Sequence, residues 1–513
     1  MKKGEMSLRG GPKGRRGNLD FKGEIASLPS VARNDAMIKF GTDGWRALVA
    51  EEFTLPNVRA VTQGVAEYLL EHPDKARKRS VLVGYDTRPL GDRFAEAVAE
   101  VFAGNGFQVE LTDSPMPTPA ISFAIRELKQ QGGIAVTASH NPFTYNGLKF
   151  KPSYAGPAEP EMTQWIEGRL FKNPIKQVKL EEGLRSGKIR WIDLKSRYLK
   201  FLKSYVEWPV IKKAGFKVAY DSMHGAGQEL LQEVTAGTRL KILPVRKPGE
   251  RFRSSHRPEP VGEHLKELSA LVKKQKCHLG LANDGDADRL GLVGPDGRFV
   301  SAQETMALLL WHLLEDKGWR GQVVSTVSST NLLDKMTAYY KVPFTRTPVG
   351  FKHIARLMRE KEVLFGGEES GGFGFRGCVP ERDGLLAGLL VMEMMAMRRS
   401  SLTKILQEMR ARFGTWIFER SDLELEKPLA SGKLLEWAGS SASRSVEAGA
   451  GNGVREVLTV DGVKVVFKDS SWLLLRASGT EPLLRIYAEG RNKATVHALL
   501  KAGEAIGRQV TQS

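Results

Sequence analysis

Four short segments of this 513-residue chain carry side chains suited to handling phosphate on a sugar. Thr137-Ala138-Ser139-His140-Asn141-Pro142 places a serine straight after the apolar run Ile134 to Val136. Asp284-Gly285-Asp286-Ala287-Asp288-Arg289 supplies three carboxylates. Gly366-Gly367-Glu368-Glu369-Ser370-Gly371-Gly372 supplies a carboxylate and a hydroxyl among glycines. Arg476-Ala477-Ser478-Gly479-Thr480-Glu481-Pro482 supplies a guanidinium, hydroxyls and loose backbone N–H groups. In chain order these read as a nucleophile, a metal cage, a hydroxyl reader and a phosphate clamp.

In an extended segment, residues i, i+2 and i+4 point to one side. That spacing predicts that Asp284, Asp286 and Asp288 converge three hard oxygens. Their mutual repulsion would be relieved by one bound Mg²⁺, which keeps a position open for phosphate. An EF-hand loop does not fit, because Arg289 is sixth and Pro295 twelfth. A solvated acidic turn is the plain alternative.

Ser139 precedes a kink at Pro142, and a serine there can be a simple turn former. It is not a G-x-S-x-G elbow, since Thr137 and His140 replace the glycines. His140, adjacent in sequence, has poor geometry for a Ser-His-Asp triad. Ser139 fits better as a phosphoryl carrier whose oxygens the metal cage would hold. Lys149 could move a proton, or stabilise charge, if burial lowers its pKa. Glu368 and Ser370 could exchange hydrogen bonds with vicinal sugar hydroxyls. Arg476, Ser478, Gly479, Thr480 and Arg485 form a plausible phosphate nest.

Alternating strand and helix signals must position these loops. The strand run Val81 to Tyr85 is followed by Phe94, Ala97, Val98, Val101 and Phe102 at helical spacing. Val109 and Leu111 open another strand, Ile121 to Leu128 another helix, and Ile134 to Val136 leads into the serine turn. The rhythm restarts at Phe216 to Asp221, and Leu279 to Ala282 delivers the aspartates. It restarts again at Val323 to Val327, and Val363 to Phe365 delivers the Glu-Glu-Ser loop. Three consecutive α/β domains with mixed, mostly parallel sheets are expected, with ligands at the carboxyl ends of the strands. A smaller C-terminal α+β domain follows, with an Asp461-Gly462 hairpin signal and a last helix near Ala494 to Ile506. The expected boundaries are 37–200, 201–300, 301–414 and 415–513. Gly439 to Gly453, rich in Ser, Ala and Gly, reads as a mobile surface insertion.

Bulk properties exclude several classes. Hydrophobic residues make up 41% and charged residues 27%, ordinary for a globular protein. The longest nearly apolar run, Gly384 to Met397, contains Glu393 and is too short to span a bilayer; it reads as a buried helix. Cys277 and Cys378 make neither a disulfide framework nor a ligand pair, which suggests a reducing, cytoplasmic setting. The net charge of +18 is scattered, so anionic phosphate esters are expected as partners, with no nucleic acid and no membrane. Residues 1–36 hold eight Lys/Arg against four Asp/Glu with no apolar period, and read as a disordered tail. They carry no secretory h-region, and Met37 reads as the natural start.

From about Ile38 to Arg491 the chain resembles the α-D-phosphohexomutase superfamily, and within it the phosphoglucomutase/phosphomannomutase group. The likeness rests on Phe40-Gly41-Thr42-Asp43-Gly44-Trp45-Arg46, on Thr137 to Lys149, on Asp284 to Arg289, and on Gly350-Phe351-Lys352. It extends to Gly367 to Ser370 and Arg476 to Pro482. The resemblance implies a four-domain enzyme with a phosphoserine at Ser139 and Mg²⁺ held by Ser139, Asp284, Asp286 and Asp288. It implies a hexose 1,6-bisphosphate intermediate that turns over within the cleft. Arg46, His140, Lys149 and Arg289 match basic residues in supporting or proton-transfer roles. Gly350 and Lys352 match the substrate-binding loop. Phe351-Lys352 and Glu-Glu-Ser resemble the glucose type. Gly372 stands where bifunctional phosphomannomutase/phosphoglucomutase enzymes often have His, and Glu369 stands where phosphoglucosamine mutases usually have Gln. Glucose phosphates are therefore the expected substrates. Phosphomannomutase is the near alternative, and a non-catalytic sugar-phosphate binding protein the different one.

Overall fold

The computed structural model describes residues 38–247, 257–429, 431–439, 453–478 and 482–512. The expected tail at 1–36, most of the insertion at 439–453, and Gly479 and Thr480 lie outside the described residues.

Four sheets stand in chain order among the described residues. The first runs, edge to edge, Trp45–Leu48, Tyr145–Pro152, Gly132–Val136, Ser80–Tyr85, Gln108–Thr112 and Ile189–Ile192. Its last four strands pair in parallel, and Tyr145–Pro152 pairs antiparallel with both of its neighbours. The second sheet runs Phe299–Val300, Leu290–Val293, Leu279–Asn283, Lys217–Asp221 and Lys241–Pro244. The third runs Phe344–Thr347, Gln322–Thr326, Val363–Gly367 and Phe373–Phe375. Both mix parallel pairs with an antiparallel return strand. The fourth sheet is wholly antiparallel: Ile417–Glu424, Leu483–Gly490, Trp472–Ala477, Val463–Phe467 and Val454–Leu458. The architecture is thus three mixed α/β layers and a C-terminal antiparallel domain, as the residue patterns lead one to expect.

Buried side chains make one continuous apolar cluster from Leu82 through Tyr220 and Phe365 to Trp416, which joins the first three sheets. At its centre lies the helix Gly384–Arg398, started by Asp383, whose side chain accepts from Leu386 N. It is apolar on nearly every side because nearly every side is covered, and its one acidic residue, Glu393, is buried against His312 and Lys317. The fourth sheet has its own core, with Leu473, Leu475, Ile486 and Val496 under the helix Lys493–Gln512. A small separate cluster of Val327, Val466, Trp472, Leu474 and Tyr487 joins it to the third sheet. No helix among the described residues is long and apolar enough to cross a membrane.

Candidate functional site

The serine loop connects the buried strand Gly132–Val136 to its antiparallel partner Tyr145–Pro152. Ser139 takes a left-handed backbone, φ +51°, and is almost wholly buried. A single guanidinium holds that strained turn. Arg88 donates to the carbonyls of Ser139 and Asn141 at 2.6 Å each, Pro142 at 2.7 Å and Tyr145 at 2.9 Å. Its Nε meets Asp86 Oδ2 at 3.2 Å. The same Asp86 oxygen accepts from Thr137 Oγ1, whose oxygen in turn accepts from Ser139 N at 2.9 Å. Neither Arg88 nor Asp86 stood out in the sequence, because an Asp and an Arg in a loop after a strand are ordinary surface residues.

The aspartate loop follows the strand Leu279–Asn283 in the second sheet. Ligand oxygens of Asp284, Asp286 and Asp288 lie within 4.8 Å of one another, and all three residues are buried. Strand alternation is not what brings them together. The segment turns, with Ala287 at φ +56° and Ala287 N donating to Asp284 O. The predicted convergence is found, but a turn produces it. Gly285 is required there by close approach: a Cβ would stand 2.3 Å from Ser139 O. Ser139 Oγ donates to Asp284 Oδ2 at 2.7 Å, and Arg289 N donates to Asp284 Oδ1 at 3.0 Å. Thr118, at the start of the helix Thr118–Glu127, donates its hydroxyl to Asp286 Oδ2 and its N–H to Asp286 O.

Cations answer these carboxylates. Lys149 Nζ lies 2.8 Å from Asp286, 2.9 Å from Asp43 and 3.0 Å from Asp288. Burial alone would lower the pKa of its ammonium, but Asp286, Asp288 and Asp43 outweigh burial and raise it. The expected lowering by burial is therefore not found: beside these three carboxylates the ammonium is held charged. Burial raises the Asp284 carboxyl well above the usual range, and Asp288 and Asp286 add to it. The set fits a hard divalent ion. Asp286 Oδ1 and Asp288 Oδ1 are buried with no hydrogen-bond partner among the described residues, and buried unpaired carboxylate oxygens are costly.

His140 and Arg46 flank this group. Arg46, on the edge strand Trp45–Leu48, donates to Asn141 Oδ1 at 3.0 Å. Burial, then Arg289, Arg46, Lys149 and Arg382, push the His140 imidazole well below its ordinary pKa, and its Nδ1 has no hydrogen-bond partner among the described residues. A neutral imidazole among four cations marks a place suited to an anion. Arg289 lies 3.3 Å from Glu259 and 3.9 Å from Asp284.

Arg382 was not anticipated, yet it ties three domains together. One of its terminal nitrogens lies 2.6 Å from Asp43 and 2.7 Å from Asp288, and the other 3.6 Å from Glu368. Its side chain explains Gly372, where a Cβ would stand 2.3 Å from Arg382 Cδ. A second acidic group, Asp43, Asp288 and Glu381, is met by Lys149, Lys151 and Arg382.

Glu368 is buried, and burial pushes its carboxyl up to about 7 against the pull of Arg382. Glu369 instead accepts from Ser328 Oγ at 2.7 Å and Thr326 Oγ1 at 3.1 Å, so the two glutamates have different surroundings. Ser370 is half-buried in the turn between the strands Val363–Gly367 and Phe373–Phe375. Gly350 begins the helix Phe351–Glu360, and Lys352 lines a cavity of about 260 Å³ together with Thr42 and Asp43.

In the fourth sheet Arg476 stands opposite Arg485 on the neighbouring strand. Cross-strand partners share a face, so two like charges are set side by side, which disfavours the sheet unless an anion joins them. Asp461 Oδ2 accepts from Arg476 Nε at 2.7 Å. Ser478 is buried. The structure therefore gathers Ser139, the three aspartates, Lys149, His140, Arg46 and Arg289 at one place and links Glu368 to them through Arg382. No hydrogen bond or ion pair among the described residues links Arg476 to that group.

Family models match four segments: "Phosphoglucomutase/phosphomannomutase, alpha/beta/alpha" domain I at 37–176, domain II at 196–297 and domain III at 301–413, and the C-terminal domain at 424–503. A phosphoglucomutase/phosphomannomutase of Thermococcus kodakarensis is 30% identical over 466 residues, 90% of this chain and 97% of the relative. A phosphoglucosamine/phosphogalactosamine mutase of Sulfurisphaera tokodaii is 29% identical, with 90% and 97% covered. The crystal structure of a putative phosphomannomutase from Thermus thermophilus superposes with a TM-score of 0.78 at 33% identity, covering 92% of this chain and 99% of that one.

Proposed function

Because the chain belongs to the phosphoglucomutase/phosphomannomutase family of the α-D-phosphohexomutase superfamily, we propose that it interconverts glucose 1-phosphate and glucose 6-phosphate. The enzyme is an isomerase of the intramolecular phosphotransferase type. The observation that carries the reading is the 2.7 Å contact of Ser139 Oγ with Asp284 inside the buried aspartate group.

In the proposed cycle Ser139 carries a phosphoryl group. That group passes to the free hydroxyl of the sugar phosphate: the Oγ–P bond breaks, a sugar O–P bond forms, the sugar hydroxyl loses its proton and Ser139 Oγ gains one, to be given up again when it is rephosphorylated. The resulting hexose 1,6-bisphosphate turns round. Its other phosphate returns to Ser139 Oγ, and the sugar oxygen left behind takes up a proton. His140, beside Ser139 in the chain, is the residue we assign to take the first proton, once the negative charge of the phosphates offsets the four cations around it. Asp284, Asp286 and Asp288, with the phosphorylated Ser139, would hold one Mg²⁺, which when bound neutralises charge on the phosphoryl oxygens. Lys149, Arg46 and Arg289 add fixed positive charge around the same oxygens. Arg88 keeps Oγ aimed.

Glu368 and Ser370 read the sugar hydroxyls, and Gly350 and Lys352 border them. Arg476, Ser478 and Arg485, with Gly479 and Thr480 beyond the described residues, take the phosphate that is not reacting. A bisphosphate that reverses end for end needs one phosphate site usable in both orientations, and a clamp blind to the sugar supplies it.

The glucose preference rests on the Glu-Glu-Ser loop and on Gly372, where Arg382 leaves no room for a side chain. The relatives' names include mannose and glucosamine substrates, so these are the competing readings. A side-by-side kcat/KM comparison on glucose, mannose and glucosamine 1-phosphates decides. Glucose is expected to be fastest. A faster amino sugar would overturn the preference while leaving the mutase reading intact.

A further inference from the structure

The C-terminal domain meets the third sheet through a buried polar seam. Lys464 Nζ donates to Val327 O at 2.7 Å. Asn331 N donates to Glu489 Oε2 at 2.8 Å, and Asn331 Nδ2 to Ser470 O at 2.6 Å. Asp461 lies on the same seam, in the turn between the strands Val454–Leu458 and Val463–Phe467. One of its oxygens, Oδ2, accepts twice: from the Val349 backbone N–H at 2.9 Å and from Arg476 Nε at 2.7 Å.

The two donors belong to different domains. Arg476 stands on the C-terminal sheet, close beside the turn, since a Cβ on Gly462 would lie 3.0 Å from Arg476 Cα. Val349 immediately precedes Gly350 and the helix that carries Lys352. A guanidinium held at Nε is fixed in its plane and still offers its two terminal nitrogens as a fork, the arrangement suited to a phosphate. Among the described residues Arg476 Nη1 and Nη2 have no hydrogen-bond partner. The carboxylate also offsets part of the charge of the Arg476–Arg485 pair. A lift of the C-terminal domain would carry the contact to Arg476 with it and break the contact to Val349. Docking thus adds a second donor to the same oxygen and fixes the direction in which Asp461 holds the arginine.

We propose that Asp461 is a positioning residue that couples docking of the C-terminal domain on the Val349–Gly350 loop to alignment of Arg476. It rests on the reading of Arg476 as the phosphate clamp. Closed domains would then present the fork with its carboxylate anchored at both donors, so the bisphosphate is gripped most firmly when the cleft is shut and less firmly when it opens.

The test uses the full chain and three variants: Asp461→Ala, Arg476→Ala and the double. Glucose 1-phosphate kinetics, escape of glucose 1,6-bisphosphate per turnover, and amide hydrogen exchange at Val349 are measured. Asp461→Ala should raise KM about tenfold to a hundredfold, the range for losing a charge-assisted hydrogen bond. It should also raise bisphosphate escape and speed exchange at Val349. The double variant should lose little beyond Arg476→Ala alone, because Asp461 acts through that arginine. Additive losses, or unchanged protection at Val349 in Asp461→Ala, would overturn the proposal. An unchanged KM in Arg476→Ala would instead overturn the clamp reading, and the proposal with it. Asp461→Asn keeps an acceptor oxygen and covers the case of an Ala variant that does not fold. It should retain Val349 protection with a smaller rise in KM. A KM as high as that of Arg476→Ala with Val349 still protected would also contradict the coupling.

Discussion

Ser139 Oγ and Asp284 Oδ2 stand 2.7 Å apart across 145 residues of sequence. One sits on a loop of the first sheet and the other on a loop of the second. A hydroxyl aimed into a buried carboxylate group is poorly explained as a turn former. It is well explained if that oxygen alternates between a free hydroxyl and a phosphate ester beside a metal ion.

Metal removal should therefore stop the enzyme. Exhaustive chelation is expected to abolish turnover and Mg²⁺ to restore it. Zn²⁺ should bind yet support turnover poorly, since its tetrahedral preference leaves fewer positions for phosphate oxygens. Full activity after chelation would remove the metal from the account.

Phosphate grip and sugar choice should separate by residue. Arg476→Ala should cost about 2–5 kcal/mol in transition-state binding, equally for glucose and mannose substrates. Ser370→Ala and Glu368→Gln should instead change the ratio of kcat/KM between the two sugars. If Arg476→Ala shifts sugar preference, the division of labour is wrong.

Arg88 should matter for stability as much as for activity. Arg88→Met leaves the Asp86 carboxylate and four loop carbonyls without their shared donor. Breaking such a buried pair costs about 3–5 kcal/mol. Chemical denaturation should show the loss in the domain that carries the first sheet, and a stability within about 1 kcal/mol of wild type, the size of a surface change, would contradict the cradle.

A pH dependence should arise far from the cleft, around buried His312. Its ring nitrogens meet Asp316 at 2.9 Å and Glu393 at 2.7 Å, while Lys317 and Arg398 hold the same two carboxylates. Burial alone would lower the imidazole, but hydrogen bonds to Asp316 and Glu393 raise it above its ordinary value. The contribution is full below the unfolded value of about 6.5 and is lost as pH rises through the folded one. Asp316 and Glu393 are held below their ordinary values by the same contacts despite burial, so their contribution fades only in acid. The unfolding midpoint should fall on going from about pH 6 to about pH 9, and His312→Gln should flatten that fall. An equal fall in the variant would show that His312 does not carry it.

The repeating α/β pattern was readable because central strands such as Ser80–Tyr85 and Leu279–Asn283 are short apolar runs buried on both faces. Tyr145–Pro152 was not readable as a strand, though Lys149 lies on it. Its one alternation, Leu148 and Phe150 against Lys149 and Lys151, is short and would leave the lysines in solvent, yet Asn146, Lys149 and Lys151 are all buried, the two lysines against charged partners. The loops with chemistry were legible by composition: Ser139 and the aspartates meet as their types suggest. What holds them was not. Arg88, Thr118, Arg382 and Asp461 act through contacts that the fold makes; nothing near the first three marks them, and Asp461 was legible only as a turn residue. The Glu-Glu pair shows the same limit, since only the fold sends Glu369 to Ser328 and Thr326 and leaves Glu368 beside Arg382.

The most direct test of the account is a phosphopeptide map by mass spectrometry. Wild-type protein and Ser139→Ala are each exposed to glucose 1,6-bisphosphate and Mg²⁺. Wild type should gain one phosphate, on the peptide that contains Ser139. Ser139→Ala should gain none and should turn over several orders of magnitude more slowly. A phosphate found on another residue, or a wild-type rate in Ser139→Ala, would contradict the phosphoserine relay at the centre of this reading.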